Sequence, residues 1–186
     1  MKVFLIRHGH AEHNLAFDIA KDIRVYKDHR YHNSSLTEKG ISQCIDASIN
    51  ESTTTSDVNK VYCSPLRRCI QTAHIIFGDN RLLFLEDDLI ETKGPYPCNH
   101  RLPLEDIVCG HENIVISNLD PHYINSEKDE GIQKLKVRAK TAFERICKGA
   151  KAENLNSIAI VTHHDWIEAL TGKSISNAAL VELDYN

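Results

Sequence analysis

The sequence lacks any apolar run near the roughly 18 residues that a membrane-spanning helix requires. Its start, Met1-Lys2-Val3-Phe4-Leu5-Ile6, offers four apolar residues before Arg7 and His8, too few for the apolar core of a secretory signal. A cytoplasmic protein with no membrane partner is therefore expected. Paired cysteines are missing too: the six, at 44, 63, 69, 98, 109 and 147, are scattered with no C-x-x-C. They read as free thiols of a reducing compartment, several of them in the core, rather than as disulfides or a zinc site. Charge of one sign is not in excess. The 22 basic and 26 acidic residues leave a net −4, so no global field attracts nucleic acid and any anion site must be a local cluster. There is no internal repeat, low-complexity tract or interdomain linker. A complete TIM barrel is unexpected, since the 186 residues fall short of its usual length of about 250. One domain, 1–186, is expected.

What is present is an alternation of short apolar runs with stretches of helical periodicity. Val3–Ile6 is a continuous apolar run, the mark of a strand buried on both faces, and Gly9 permits a tight turn after it. Residues 11–26 read as mostly helical. Thr37 reads as an N-cap for a helix carrying Ile41, Cys44, Ile45, Ser48 and Ile49, and 50–57 as a loop. Val58–Cys63 is a second strand. Ser64-Pro65 reads as a helix start, with Leu66, Cys69, Ile70, Ala73, Ile76 and Phe77 as the buried stripe and Gly78 as the stop. Leu82–Leu85 is a third strand. Residues 92–103, broken by Gly94, Pro95, Pro97 and Pro103, form a loop, and Leu104–Cys109 a short helix. A long helix spans about 127–148 with the stripe Ile132, Leu135, Ala139, Ala142, Phe143 and Ile146. The strand Ser157–Thr162 stops at His163-His164, a helix follows until Gly172, and Ala179–Leu183 is a last, edge strand. Strands alternating with helices predict an α/β fold, a three-layer α/β/α sandwich around a mainly parallel sheet.

In such sheets ligands bind beyond the carboxyl ends of the strands. Three strands end in residues suited to chemistry: Arg7 and His8, then Ser64 with Arg67 and Arg68, then His163 and His164. Two histidines and two arginines converging on a helix N-terminus describe a phosphate pocket. Guanidinium forks match phosphate oxygens, and unpaired N–H groups at the helix start add donors. A neutral imidazole there can attack phosphorus, and nearby guanidinium charge favours that neutral form.

The string Leu5-Ile6-Arg7-His8-Gly9-His10-Ala11-Glu12-His13-Asn14 resembles the opening signature of the histidine phosphatase superfamily, the phosphoglycerate mutase-like proteins. Leu36-Thr37-Glu38-Lys39-Gly40 is similar to its next landmark, Ser64–Ala73 to its second signature, and Ile160-Val161-Thr162-His163 to its third. Glu91 followed by Gly94-Pro95-Tyr96-Pro97-Cys98-Asn99-His100-Arg101 resembles the plant-type branch. The resemblance implies a phosphoglycerate mutase-like fold and a metal-independent phosphomonoesterase with no cofactor. His8 would carry the phosphoryl group. Arg7, Arg68 and His163 would bind its oxygens, with Asn14 and His164 beside them. Arg68 fits the family arginine better than Arg67, which is left at the surface. Glu91 would be the general acid and then the base.

This sequence departs from the family pattern at two points. Ala11 stands where a hydroxyl or acidic residue is common. His164, where glycine or serine is usual, opens a second register in which His164 and Asp165 act as in the acid-phosphatase branch; the strand-to-histidine spacing favours His163. Arg101, with Lys93 and His100, is read either as gripping a second anionic group of the substrate or as a solvated basic face. Four functions are weighed: a phosphatase of small phosphorylated substrates or phosphoproteins, a phosphoglycerate mutase, a metal hydrolase built on His8, His10 and His13, and a non-catalytic phosphate-binding module. The shortage of chain for a lid over the site favours hydrolysis over the mutase. The arginines, which repel cations, argue against metal and leave His10 and His13 as solvent-facing residues.

Overall fold

A computed structural model describes residues 1–50, 57–109 and 113–186. In chain order its elements are β1 (Lys2–Arg7), α1 (Glu12–Ala20), α2 (Glu38–Asn50), β2 (Lys60–Cys63), α3 (Arg67–Phe77), β3 (Leu83–Glu86), α4 (Leu104–Val108), β4 (Ile114–Asn118), α5 (Gly131–Ala152), β5 (Ser157–Thr162), α6 (His164–Thr171) and β6 (Leu180–Asp184). The strands form one sheet in the order β4-β3-β2-β5-β1-β6. All pairs are parallel except β1 with β6, which is antiparallel at the edge.

The period-2 geometry of a strand sends alternate residues to opposite faces, and two cores result. Phe4, Ile6, Val61, Cys63, Ala159 and Val161 face one way, against Cys44 of α2 and Cys69, Ile70, Ala73 and Ile76 of α3. Val3, Leu5, Tyr62, Ile158 and Ile160 face the other, against Leu135, Ala139, Ala142 and Ile146 of α5 and Trp166 and Ile167 of α6. The predicted three-layer α/β sandwich is therefore observed. Five of the six cysteines are buried thiols, and Cys109 is exposed.

Several boundaries differ from expectation. The helix expected over 11–26 stops at Ala20, because Lys21 adopts the left-handed conformation (φ 51°), and a 3-10 turn over Ile23–Lys27 follows. The long helix begins at Gly131 rather than 127: Gly131 has φ 68°, and Asp129 Oδ1 accepts from its N–H at 2.8 Å, forming a turn before the helix. That helix buries Leu135, but Ile132 of the predicted stripe is 52% exposed. The strand β4 was not anticipated; only Ile114, Val115 and Ile116 signal it, and its edge position leaves it half-exposed. Helix α3 starts at Arg67 after an extended Leu66, two residues beyond the expected Ser64-Pro65 cap. Most of the predicted loop 50–57 lies outside the described residues.

Registry sets up the site. Arg7 pairs with Thr162 and Cys63 with Val161, so β1, β5 and β2 end at one level. Arg7-His8, His163 and Ser64 therefore emerge side by side.

Candidate active site

The loop after β1 is held by close packing. Gly9 is there because of its neighbours, rather than for the turn expected from sequence: a Cβ on it would lie 2.7 Å from both Cys44 Sγ and the Gly40 carbonyl oxygen. A Cβ on Gly40 would in turn run into the His10 backbone. Thr37 fastens the same loop. Its N–H and hydroxyl donate to His10 O at 2.9 and 3.1 Å, and its hydroxyl accepts from Gly40 N at 3.2 Å, which is the expected cap. The similarity of residues 36–40 to a family landmark thus has a physical basis: α2 must approach the β1 loop backbone to backbone.

His8 sits in this rigid corner, 2% exposed. Its Nδ1 is 2.7 Å from Gly9 O, which can only accept, so Nδ1 carries the hydrogen. Nε2 keeps its lone pair and receives a hydrogen bond from Arg68 Nε at 3.2 Å. Burial, and then the charge of Arg68, push the imidazole pKa well below its ordinary value, so His8 is neutral at physiological pH. Arg68 is fully buried and ties the site together. Its terminal nitrogens donate to Cys98 O, to Asn99 Oδ1 at 2.9 Å and to His163 Nδ1 at 3.1 Å. Accepting there leaves His163 with its hydrogen on Nε2, which is 2.8 Å from Ser64 Oγ. The rings of His8 and His163 stand 5.1 Å apart. Arg7 donates to Ile175 O at 2.7 Å, while its buried Nε has no acceptor among the described residues. An orphaned guanidinium nitrogen beside a neutral imidazole is a ready place for an anion's oxygen.

The helix terminus contributes less than expected. The N–H groups of Leu66 and Arg67 are already taken by Ser64 Oγ at 3.4 Å and Asn33 Oδ1 at 2.9 Å. The arginines and histidines carry the cage instead. Arg67 itself is exposed, as anticipated.

Above the cage opens a cavity of about 570 Å³ that Arg7, His8, Asn14, Glu91, His164 and Asp165 all line. Asn14 reaches it from the first turn of α1, with its Oδ1 accepting from Ala11 N at 2.9 Å. Glu91 accepts from Thr92 N at 3.3 Å and from Asp165 N at 3.4 Å. Burial, and then the nearby Asp165 carboxylate, raise its pKa to about 7. Its backbone is clamped by a residue that sequence reasoning missed: Arg138 of α5 donates to the carbonyls of Asp88, Ile90 and Glu91 at 2.8, 2.6 and 3.0 Å. His164 does not face His8 as His163 does; its nitrogens meet Asp165 Oδ1 at 2.9 Å and Ser174 Oγ at 2.8 Å. Asp165 is half-exposed at the cavity edge, where its Oδ2 accepts from Thr92 Oγ1 at 3.0 Å.

Two expectations are overturned. Arg101 does not reach the cavity. It is buried behind the loop, paired with Asp87 at 3.1 Å and donating to Asp120 O at 2.6 Å. Its companions are diverted as well: His100 Nε2 bonds to Gly94 O at 2.9 Å, and Lys93 lies over the Tyr123 ring. A buried acid, Asp87, drew the guanidinium inward, and nothing in the local sequence marks that pairing. Nor do His10 and His13 face solvent, with exposures of 4% and 6%. His10 points away from His8, to Thr37 Oγ1 at 2.9 Å and Asp18 at 3.1 Å, so a metal site on His8, His10 and His13 is not assembled. His13 lines the cavity, held by Ser34 Oγ at 2.7 Å. Asn99, which the sequence pattern leaves without a role, also lines the cavity and joins Arg68 to Thr92 O. Among the described residues, the cluster spaced for a metal ion is His164, Asp165 and Glu168, on the outer rim.

A strand-end histidine kept neutral inside an arginine–histidine cage suits phosphoryl transfer. The chain belongs to the histidine phosphatase superfamily, branch 1, whose family model matches residues 3–182. Solved structures agree in fold. The ecdysone phosphate phosphatase of Bombix mori, in complex with tungstate, is similar with a TM-score of 0.74 at 16% identity, over 99% of this chain and 89% of that one. A phosphoserine phosphatase variant from Entamoeba histolytica, in complex with phosphoserine, gives 0.63 at 20% identity, over 100% and 91%. The alpha-ribazole phosphatase of Shigella flexneri gives 0.66 at 20%, also over 100% and 91%. No curated protein matches the sequence. No helix among the described residues is long and apolar enough to cross a membrane.

Proposed function

We propose that this histidine phosphatase hydrolyses small phosphomonoesters through a covalent intermediate on His8. The observation that carries the reading is the state of His8: buried, neutral, with the Nε2 lone pair beside Arg68 at the cavity floor. In the first step Nε2 attacks phosphorus as the ester P–O bond breaks. Arg7, Arg68 and His163 hold the three equatorial oxygens, whose charge grows in the transition state. Glu91, with a pKa near neutrality, gives its proton to the departing alcohol oxygen. In the second step the Glu91 carboxylate takes a proton from water, whose oxygen attacks phosphorus. The P–N bond breaks, and inorganic phosphate and free His8 result. No metal or cofactor enters this chemistry.

The Glu91 reading is favoured over Asp165 by the desolvation of its part-buried carboxyl and by the backbone clamp of Arg138; Asp165 is half-exposed. The mutase reading needs a grip on the second anionic group of a phosphorylated acid, and the diversion of Arg101, Lys93 and His100 weighs against it. A single domain in a reducing, cytoplasmic setting completes the proposal, supported by one continuous sheet and the buried thiols. The test is phosphate release from a panel of phosphomonoesters in EDTA. Release is expected; phosphoryl exchange between phosphoglycerate isomers without release would overturn hydrolysis.

A further inference from the structure

The cavity is far larger than a phosphoryl group needs. At about 570 Å³ it falls in the range that holds drug-sized ligands. Of the cage, Arg7 and His8 line it, so most of the space faces the leaving group. That outer part is walled by Ile23 and Tyr26 from one side, Tyr96 from the proline-bearing loop, and Ile132 and Leu135 from α5. Ile23 and Ile132 are 71% and 52% exposed, large apolar side chains at the mouth. The two tyrosine rings are fixed in place. Tyr26 stacks on Phe17 at 5.6 Å and meets His13 edge-on at 5.7 Å, and the Tyr96 hydroxyl donates to Asp129 at 2.6 Å.

Charge in this outer part does not suit an acidic leaving group. The buried cations nearby are engaged elsewhere, Arg101 with Asp87 and Arg138 with Glu130 and three carbonyls. Arg24 is 86% exposed and held by Asp22, and Lys27 is a solvated side chain. Exposed cations give little to binding. Asp129 and Asp165 line the same part and offer a carboxylate no attraction.

Resting on the phosphomonoesterase reading, we propose that the leaving group of the natural substrate is a bulky, uncharged alcohol built on at least one ring, and not a small hydroxy acid. The aromatic and branched walls take the ring, and the cage takes the phosphoryl group.

The test compares kcat/KM for ethyl, benzyl and 2-naphthylmethyl phosphate, O-phosphoserine and 3-phosphoglycerate. All are alkyl esters, so differences in leaving-group chemistry stay small. A gain of at least about 30-fold from ethyl to 2-naphthylmethyl is expected, since each buried carbon adds to transition-state binding. The two acids should fall at or below ethyl phosphate. The Ile23→Ser, Ile132→Ser double variant alters exposed positions and should shrink the naphthylmethyl advantage about tenfold. Binding of 2-naphthylmethylphosphonate against methylphosphonate by calorimetry reads the same preference without turnover. Faster hydrolysis of O-phosphoserine or 3-phosphoglycerate, or equal binding of the two phosphonates, overturns the proposal while leaving the phosphatase reading intact. Phosphate release from none of the esters overturns that reading, and the proposal with it.

Discussion

The inner and outer ends of the cavity are built differently. At the inner end Arg7, His8, Arg68 and His163 stand on adjacent parallel strands and the helix beside them, and three of the four are almost wholly buried. Their relative positions are set by sheet registry, which tolerates little error. At the outer end the walls come from the 3-10 turn at 23–27, the loop around Tyr96 and the first turn of α5. These segments meet through long-range contacts such as Tyr96 to Asp129 and Arg138 to the carbonyls of 88–91. Chemistry can thus rest on a frame set by sheet registry while specificity is written on surface segments that the frame does not dictate.

The sharpest way to break this contrast is to remove the proposed nucleophile. His8→Ala is expected to lower kcat/KM by at least about 10⁴-fold in steady-state phosphate release, with the fold unchanged by circular dichroism. Glu91→Gln comes next. Alkyl phosphates should slow by about 10²–10⁴-fold, whereas phosphoenzyme formation from p-nitrophenyl phosphate, whose leaving group hardly needs a proton, should be spared. Asp165→Asn should cost less than about tenfold. The opposite pattern would transfer the acid role to Asp165.

The same carboxyl makes a pH prediction. For the wild type, kcat for alkyl phosphates should fall as pH rises through about 7, where Glu91 loses the proton it donates, and Glu91→Gln should remove that limb. Stability follows the same sign. A carboxyl whose folded pKa is raised binds its proton more tightly folded than unfolded. Its favourable contribution is complete below the ordinary value of 4.5 and is lost as pH rises to about 7. Glu91→Gln should therefore be more stable than the wild type at pH 8, by roughly 1–3 kcal/mol in urea unfolding, and should lose that advantage near pH 4.

Arg101 sharpens the contrast from the structural side. Arg101→Met leaves Asp87 buried without its partner and is expected to destabilise by about 3 kcal/mol, read as a lowered urea midpoint. KM of the folded protein should stay within about threefold, where a substrate-gripping arginine would cost about tenfold or more. The smallest effect concerns metal: EDTA should leave the rate unchanged. Inhibition reversed by zinc or manganese would point to the rim cluster of His164, Asp165 and Glu168.

What the sequence made legible follows the same division. Short apolar runs marked all strands but β4, whose short branched run at an exposed edge carries little burial signal. Strand ends adjacent to Arg7-His8, Ser64 and Thr162-His163 located the floor of the site, because parallel registry converts strand endings into neighbours. The adjacent pair Arg67-Arg68 is resolved by the family pattern alone, and in the structure Arg68 turns inward while Arg67 is exposed. Arg101 misled because a basic residue in a loop gives no hint of an acid across the chain. His13 did so because its partner Ser34 arrives from a segment with no periodic signal. Ile132 belongs to the helical stripe by spacing, yet it lies beyond the point where the sheet ends, at the cavity mouth.

The central claim is the covalent role of His8, and trapping the phosphoenzyme tests it most directly. The protein should be mixed with labelled p-nitrophenyl phosphate, quenched within milliseconds in alkali, digested and sequenced by mass spectrometry. The account predicts label on His8 that survives base, is lost in acid, and is absent from His8→Ala. Full turnover with no base-stable label, or label on another side chain, would contradict it.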